Sequence, residues 1–160
     1  MKPMELQETI EDLKAGDRLA LSKFLTDVET SDNPMEMVLK LYNKGERITP
    51  IIGVTGFPGA GKSSLINSFI KLLRMKEKKV GVIAVDPSSL ISGGSLLGDR
   101  TRMEQHSSDD KVFIRSLSSD GELGGLSHKS FLLSLVMATF DLDFIFVETV
   151  GTGQSESDIT

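Results

Sequence analysis

The chain has 160 residues, the length of one domain, and its 39% of hydrophobic residues is enough for a core. A net charge of −5 gives no electrostatic basis for binding nucleic acid or an anionic membrane. The absence of cysteine excludes disulfides, thiolate metal ligands and cysteine nucleophiles. No apolar run approaches the roughly 20 residues of a membrane span, and the N-terminal residues lack a signal-peptide core. The simplest interpretation is a cytoplasmic protein.

Residues 1–47 predict a helical arm. Apolar residues recur at helical spacing on both sides of a break, so residues 5–29 are expected to form two helices, with Asp17 capping the second. Asn33 and Pro34 suit the cap and first position of a third helix. Its apolar stripe would contain Met35, Val38, Leu41 and Tyr42. The arm could offer a partner-binding surface, or its stripes could pack on the rest of the protein, as amphipathic helices usually do.

Residues 48–160 predict an α/β domain. Apolar, β-branched runs alternate with helical patterns, which is typical of a parallel sheet covered by helices on both faces. The predicted strands cover residues 51–55, 79–86, 112–117 and 144–148, and the predicted helices cover residues 63–73 and 126–140. The first of these strands is expected to be buried. In such sheets, ligands bind at the carboxyl ends of the strands.

Residues 56–63 match the phosphate-binding pattern G-x-x-x-x-G-K-[ST]. Glycines let successive main-chain amides point at a phosphate. Lys62 would bring an ammonium group to the β- and γ-phosphate oxygens, and the Ser63 hydroxyl suits a hydrated Mg²⁺. The alternative is a chance glycine-rich turn, but a strand before the motif and a helix after it favour a nucleotide site. The predicted nucleotide-binding residues are Gly56, Pro58, Gly59, Ala60, Gly61, Lys62, Ser63 and Ser64.

Two acidic residues end predicted strands near this loop. Asp86 could hold Mg²⁺ directly or through water, or it could cap a turn that continues into Pro87. Glu148 is followed by Gly151, which resembles an acidic strand end leading into a switch glycine that senses the γ-phosphate. The two histidines, His106 and His128, have no partner at metal-ligand spacing, so we expect both to lie at the surface without a metal.

Six segments occur together in one order: 56–64 (GFPGAGKSS), 84–89 (AVDPSS), 93–103 (GGSLLGDRTRM), 113–116 (FIRS), 123–125 (LGG) and 147–156 (VETVGTGQSE). In combination they closely resemble the MeaB/ArgK-type P-loop GTPases, relatives of the human methylmalonic aciduria type A protein. The resemblance covers essentially the whole chain. It implies a P-loop NTPase fold, with a mainly parallel sheet flanked by helices and preceded by the helical arm.

The resemblance also implies a function. Members of this family bind and hydrolyse GTP, with GDP as product and Mg²⁺ as cofactor. They act as chaperones that assist cofactor loading and protect adenosylcobalamin-dependent acyl-CoA mutases, chiefly methylmalonyl-CoA mutase, usually as homodimers. Carried onto this sequence, Lys62 and Ser63 would bind phosphate and Mg²⁺. Asp86, Asp99 and Glu148 would form the acidic shell around the metal, with Lys62, Asp99 and Glu148 as the catalytic group.

The resemblance further implies that residues 93–103 and 151–156 are switches responding to the γ-phosphate. The sequence departs from the family pattern at Asp120, where many relatives carry a basic residue, and at residues 141–143, where a glycine is common. Family members are about twice as long. Their guanine-reading motif and dimerisation arm are expected beyond Thr160, so guanine selection rests on the resemblance alone.

Two other functions remain open from the residues. A metallochaperone GTPase for nickel-enzyme assembly is disfavoured because the chain has no cysteine and no histidine-rich tract. A phosphate-binding or mutase-docking module without turnover would bind nucleotides weakly and without preference for the base.

Overall fold

The computed structural model describes residues 3–42, 49–57, 59–86, 106, 108–118 and 127–149. Its helices are α1 (Pro3–Lys14), α2 (Arg18–Thr30), α3 (Pro34–Leu39), α4 (Lys62–Met75) and α5 (His128–Ala138). Its strands are β1 (Ile51–Val54), β2 (Val80–Asp86), β3 (Val112–Ser118) and β4 (Phe144–Glu148). Among these described residues, no helix is long and apolar enough to span a membrane.

The four strands form one parallel sheet in the order β1-β4-β2-β3. Glu148 lies in register with Val54 of β1 on one side and with Ala84 of β2 on the other. The carboxyl ends of these three strands therefore meet at one edge of the sheet. The predicted α/β fold with a parallel sheet is confirmed.

The larger hydrophobic core lies between one face of the sheet and helices α2, α3 and α5. Phe24 and Leu25 of α2 share it with Leu133 of α5 and with Phe113 and Ile145 of the sheet, and all five are buried. Helical spacing on α2 and alternation along the strands bring these residues to one layer. The stripe of α2 thus packs on the sheet domain, which is the second of the two interpretations of the arm. The division at residue 47 stays a prediction.

Helix α4 covers the other face of the sheet. Its buried Ile66 and Ile70 contact a second cluster that includes Val80, Val82 and Phe146. The ring of Phe69 also stacks on that of Phe146, with 5.8 Å between the ring centroids. Helices on both faces bury the central strands β4 and β2, which explains their nearly continuous apolar sequences.

The predicted cap of α2 is confirmed, whereas that of α3 is wrong in detail. The Asp17 carboxylate accepts hydrogen bonds from the amides of Leu19, at 2.7 Å, and Ala20, at 3.1 Å. Asn33 occupies the cap position of α3 but makes no capping hydrogen bond, since its ψ of 60° departs from the extended conformation of a capping residue. Helix α3 also ends before Tyr42, whose hydroxyl donates instead to the Leu135 carbonyl of α5.

Strand β1 is not the buried strand that its sequence predicted. Its side chains at Ile51 and Ile52 remain 38% and 39% exposed. The reason is its position, because within the described sheet β1 is an edge strand that pairs with β4 alone.

Candidate functional site

The glycine-rich loop connects β1 to α4 at the carboxyl edge of the sheet. Gly59 and Gly61 have φ angles of 81° and 86°, in the left-handed region that only glycine enters without strain. Gly61 is the residue before the first turn of α4, so the amino end of that helix opens onto the loop. A helix amino end presents unpaired amides and a partial positive charge, which suits a phosphate group.

Lys62 is the first residue of α4, and its side chain folds back over the loop. Its ammonium donates hydrogen bonds to the main-chain carbonyls of Gly56, at 2.7 Å, and Phe57, at 3.1 Å. These contacts hold the positive charge beside the loop, and its predicted contact with phosphate stays a prediction. Ala60 and Ser64 lie exposed on either side of this turn, while Pro58 is outside the described residues.

A hydrogen bond joins this loop to the end of β4. The Ser63 hydroxyl donates to the Glu148 carboxylate at 2.7 Å, and Ser63 is only 8% exposed. A hydroxyl and a carboxylate are hard oxygen ligands of the kind that Mg²⁺ prefers. This pair therefore fits a magnesium ion.

The remaining predicted site residues are only partly described. The main chain of Asp86 ends β2 two residues beyond Ala84, which is in register with Glu148. Asp86 therefore lies at the same edge of the sheet as the loop. Asp99 and Gly151 lie outside the described residues, as do the two predicted switches.

Thr149 is a buried residue of the site that the sequence did not single out. Its amide donates to the carbonyl of Val54, the last residue of β1, at 3.1 Å. Its side chain is fully buried, and within the described part of the chain its hydroxyl has no hydrogen-bond partner. Its one signal in the sequence was its place directly after Glu148. That signal is unspecific, because a threonine following a strand has many structural roles.

The prediction of two surface histidines is wrong for His106. This residue is only 8% exposed. It begins a turn closed by a 3.1 Å hydrogen bond from the Asp109 amide to the His106 carbonyl, and this turn packs against α4. The ion pair between Arg74 and Asp109, at 2.7 Å, fixes that turn. Burial, reinforced by the charge of Lys71, lowers the pKa of His106. His128 is exposed, and the described residues contain no group of three potential metal-binding side chains.

A cavity of about 180 Å³ lies at the opposite end of the sheet, beside the amino ends of the strands. It is lined by Ala15, Gly16, Arg18, Lys79, Asp110, Lys111, Phe113, Phe140, Asp141 and Leu142. Arg18 contacts protein groups there, since it donates to the carbonyls of Asp110 and Val112 and lies over the Phe113 ring. Because parallel sheets bind ligands at their carboxyl ends, this cavity is not the candidate nucleotide site.

Residues 21–160 match a family described as methylmalonyl Co-A mutase-associated GTPase MeaB. The chain belongs to this family. The match includes the phosphate-binding loop, the Ser63–Glu148 pair and the strand ends described above, and the family resemblance found in the sequence is confirmed.

Two relatives and one solved structure support this assignment. The chain is 42% identical over 160 residues to the GTPase ArgK of Escherichia coli, covering 96% of this chain and 48% of ArgK. It is 39% identical over 158 residues to the mitochondrial methylmalonic aciduria type A homolog of mouse, covering 90% and 38% of the two chains. A crystal structure of a LAO/AO transport system kinase matches with a TM-score of 0.75 at 30% identity, over 99% of this chain and 47% of that one. The chain thus spans half or less of the length of each of these proteins.

Proposed function

We propose that this chain is the nucleotide-binding part of a GTPase that acts as a chaperone of an adenosylcobalamin-dependent methylmalonyl-CoA mutase. The Ser63–Glu148 hydrogen bond is the observation that carries the proposal, since it ties the phosphate-binding loop to an acidic strand end. The family description supports the mutase as partner, because it names a GTPase associated with that enzyme. A homodimer in the cytoplasm belongs to the same proposal.

The loop and Lys62 would bind the phosphates of GTP. The amides at the start of α4 and the Lys62 ammonium would neutralise the charge that builds up on the γ-phosphate during hydrolysis. Phosphate oxygens would replace the carbonyls of Gly56 and Phe57 as acceptors for that ammonium, so Lys62 would exchange two neutral partners for an anionic one.

Ser63 and Glu148 would hold a magnesium ion together with Asp86 and Asp99. The ion supplies charge neutralisation at the β- and γ-phosphates when it is bound. Glu148 would keep the Ser63 hydroxyl oriented, as its 2.7 Å hydrogen bond does here. Gly151 would then act as the switch position that senses the γ-phosphate, three residues after Glu148.

The test is a titration of the purified chain with fluorescent GDP and ADP analogues, with and without Mg²⁺. Lys62→Ala is expected to weaken GDP binding about 10- to 100-fold, the effect of removing a charge-assisted contact. Lys76→Ala, which removes an exposed lysine at the other end of α4, serves as the matched control and should leave binding unchanged.

Each outcome of that titration is informative. GDP binding that needs Mg²⁺ and Lys62 supports the GTPase site. Equal and weak binding of GDP and ADP would favour the module without turnover. Absence of binding to the folded chain would contradict the nucleotide site itself. The mutase is tested separately, as an increase in GTP hydrolysis when methylmalonyl-CoA mutase is added.

A further inference from the structure

The cavity at the amino ends of the strands lies where the helical arm meets the sheet. Gly16 and Arg18 contribute to it from the start of α2 and the turn before it, while Lys79, Lys111 and Leu142 contribute from the residues just before β2, β3 and β4. Its volume is about 180 Å³, and a cavity of roughly 150 Å³ is enough to bind a benzene ring. Small-molecule sites often lie at the junction of two packed parts of a protein. The cavity therefore has the size and the place of a site for a small organic ligand.

Part of the cavity lining is apolar and aromatic. Phe113 and Phe140 line it with only 7% and 9% of their surface exposed, and the partly buried Leu142 lines it as well. The Arg18 guanidinium lies 5.5 Å from the centroid of the Phe113 ring, so a cation stands next to this apolar lining. An apolar group placed in the cavity removes the remaining aromatic surface from water, which favours binding. The lining therefore suits a ligand with a compact apolar body.

The rest of the lining is charged, and the charges do not all pair with one another. The five charged residues are Arg18, Lys79, Asp110, Lys111 and Asp141. Lys79 and Asp141 form an ion pair, so their charges neutralise each other. Among the described residues, the Lys111 ammonium and the Asp110 carboxylate make neither a hydrogen bond nor an ion pair. These two groups are therefore available to act on a ligand.

Arg18 adds a second positive charge with spare hydrogen-bond donors. Within the described part of the chain its guanidinium makes two hydrogen bonds, both to neutral carbonyls, those of Asp110 and Val112. A guanidinium has five N–H groups, so donors remain for a ligand. Arg18 and Lys111 thus place two cations at the cavity against the single carboxylate of Asp110, once the Lys79–Asp141 pair is set aside. This balance favours an anion, and a planar carboxylate fits the fork of a guanidinium.

We propose that this cavity binds a small carboxylate with a compact apolar body, through Arg18 and Lys111. The carboxylate accepts hydrogen bonds from the guanidinium and the ammonium, while the apolar body lies against Phe113 and Phe140. The bound molecule contacts both the arm and the sheet, so it stabilises the packing of one on the other. The phosphate-binding loop lies at the opposite edge of the sheet, and this second site does not depend on the nucleotide.

A titration of the whole chain with benzoate, followed through the amide signals in NMR spectra, tests this site. Benzoate combines a carboxylate with a single ring, the two features that the cavity selects. Saturable shifts of the amide signals of Gly16, Lys111 and Phe113 are expected, with a Kd of about 1 mM because the ligand is small. Benzamide has the same shape without the charge and should bind at least about fivefold more weakly. Benzylamine, with the opposite charge, should bind more weakly than benzoate as well.

Two variants of neighbouring residues should change the affinity for benzoate in opposite directions. Lys111→Met removes an attractive charge and should weaken binding about 2- to 5-fold. Asp110→Asn removes a repulsive charge and should tighten binding by a similar factor. Lys40→Met, which replaces an exposed lysine of α3 that does not line the cavity, is the matched control and should leave the affinity unchanged. All three residues are exposed, so each variant should keep the thermal unfolding midpoint of the unmodified chain.

Four results would overturn the proposal. Absence of saturable benzoate binding up to about twenty times the expected Kd would show that the cavity is not a site for such a ligand. Equal affinity for benzoate and benzamide would show that the carboxylate makes no contact of its own. Tighter binding of benzylamine, lost in Asp110→Asn, would assign the cavity to a cation. Unchanged benzoate affinity in both Lys111→Met and Asp110→Asn would place the bound molecule outside this cavity.

Discussion

The Ser63 hydroxyl donates a 2.7 Å hydrogen bond to Glu148, a residue 85 positions away in the sequence. The bond spans from the first turn of α4 to the end of β4, and it exists because β4 lies directly beside β1 in the sheet. Its two oxygen-bearing groups therefore stand at the place where the phosphate-binding loop meets the carboxyl edge.

The first prediction concerns this pair. Glu148→Gln keeps the shape of the side chain but removes its charge, so it should weaken Mg²⁺ binding about 10- to 100-fold, as loss of a partner that orients a metal ligand does. The measurement is the Mg²⁺ concentration needed for half-maximal GDP binding. Glu77→Gln, an exposed acid beyond the end of α4, is the control. An unchanged Mg²⁺ requirement in Glu148→Gln would contradict the proposed role.

The second prediction concerns the contact between the arm and the sheet. Arg115 of β3 and Glu29 of α2 pair at 2.6 Å, and both side chains are only about a quarter exposed, 26% and 27%. A double-mutant cycle of Arg115→Met and Glu29→Gln, measured by urea unfolding, should give a coupling free energy of about 0.5–1 kcal/mol. The exposed pair of Lys40 and Glu36 should show a smaller coupling. No coupling between Arg115 and Glu29 would mean that this ion pair does not help to hold α2 against β3.

The third prediction is a pH dependence from His106. Burial lowers its pKa in the folded chain below the ordinary value of 6.5, so the unfolded chain takes up the proton first as the pH falls. The free energy of unfolding therefore keeps its full value above pH about 6.5 and decreases as the pH falls toward the lowered pKa of His106. The free energy of unfolding should decrease between pH 7.5 and 5.5.

Urea unfolding across this range, with variants, isolates the effect of His106. The decrease should be smaller in His106→Gln than in the unmodified chain. His128→Gln, which replaces the exposed histidine, should retain it. The same slope in all three proteins would show that His106 is not its source.

The fourth prediction concerns the Thr149 hydroxyl, which is buried without a partner among the described residues. Burying such a group without a partner lowers the free energy of unfolding by roughly 1–3 kcal/mol. Valine has the shape of threonine without the hydroxyl, so Thr149→Val should raise the free energy of unfolding by about 1 kcal/mol. Thr149→Ser keeps the hydroxyl and loses a methyl group, so this variant should not raise the free energy of unfolding. A loss of stability in Thr149→Val would contradict this prediction and indicate that the hydroxyl has a hydrogen-bond partner.

The sequence by itself determined the helices and strands of this protein and the backbone conformation of its glycine-rich loop. The left-handed backbone at Gly59 and Gly61 was predictable, because a loop that turns its amides inward needs this conformation and glycine adopts it without strain. The apolar runs of β2 and β4 were equally informative, since strands buried on both faces have few polar residues. These features depend on neighbours within a few residues in the chain, so local patterns contain them. The family match confirmed the resulting resemblance.

Only the tertiary structure decided which residues meet and which stay exposed. The sequence of β1 resembles that of a central strand, yet its place at the edge leaves Ile51 and Ile52 more than a third exposed. The sequence predicted an isolated surface histidine at position 106. In the structure the turn at Asp109 packs against α4 and buries His106. Exposure and pairing depend on strand order and helix rotation, which arise from contacts between distant parts of the chain. No local pattern encodes those contacts, so they become visible only once the chain is folded.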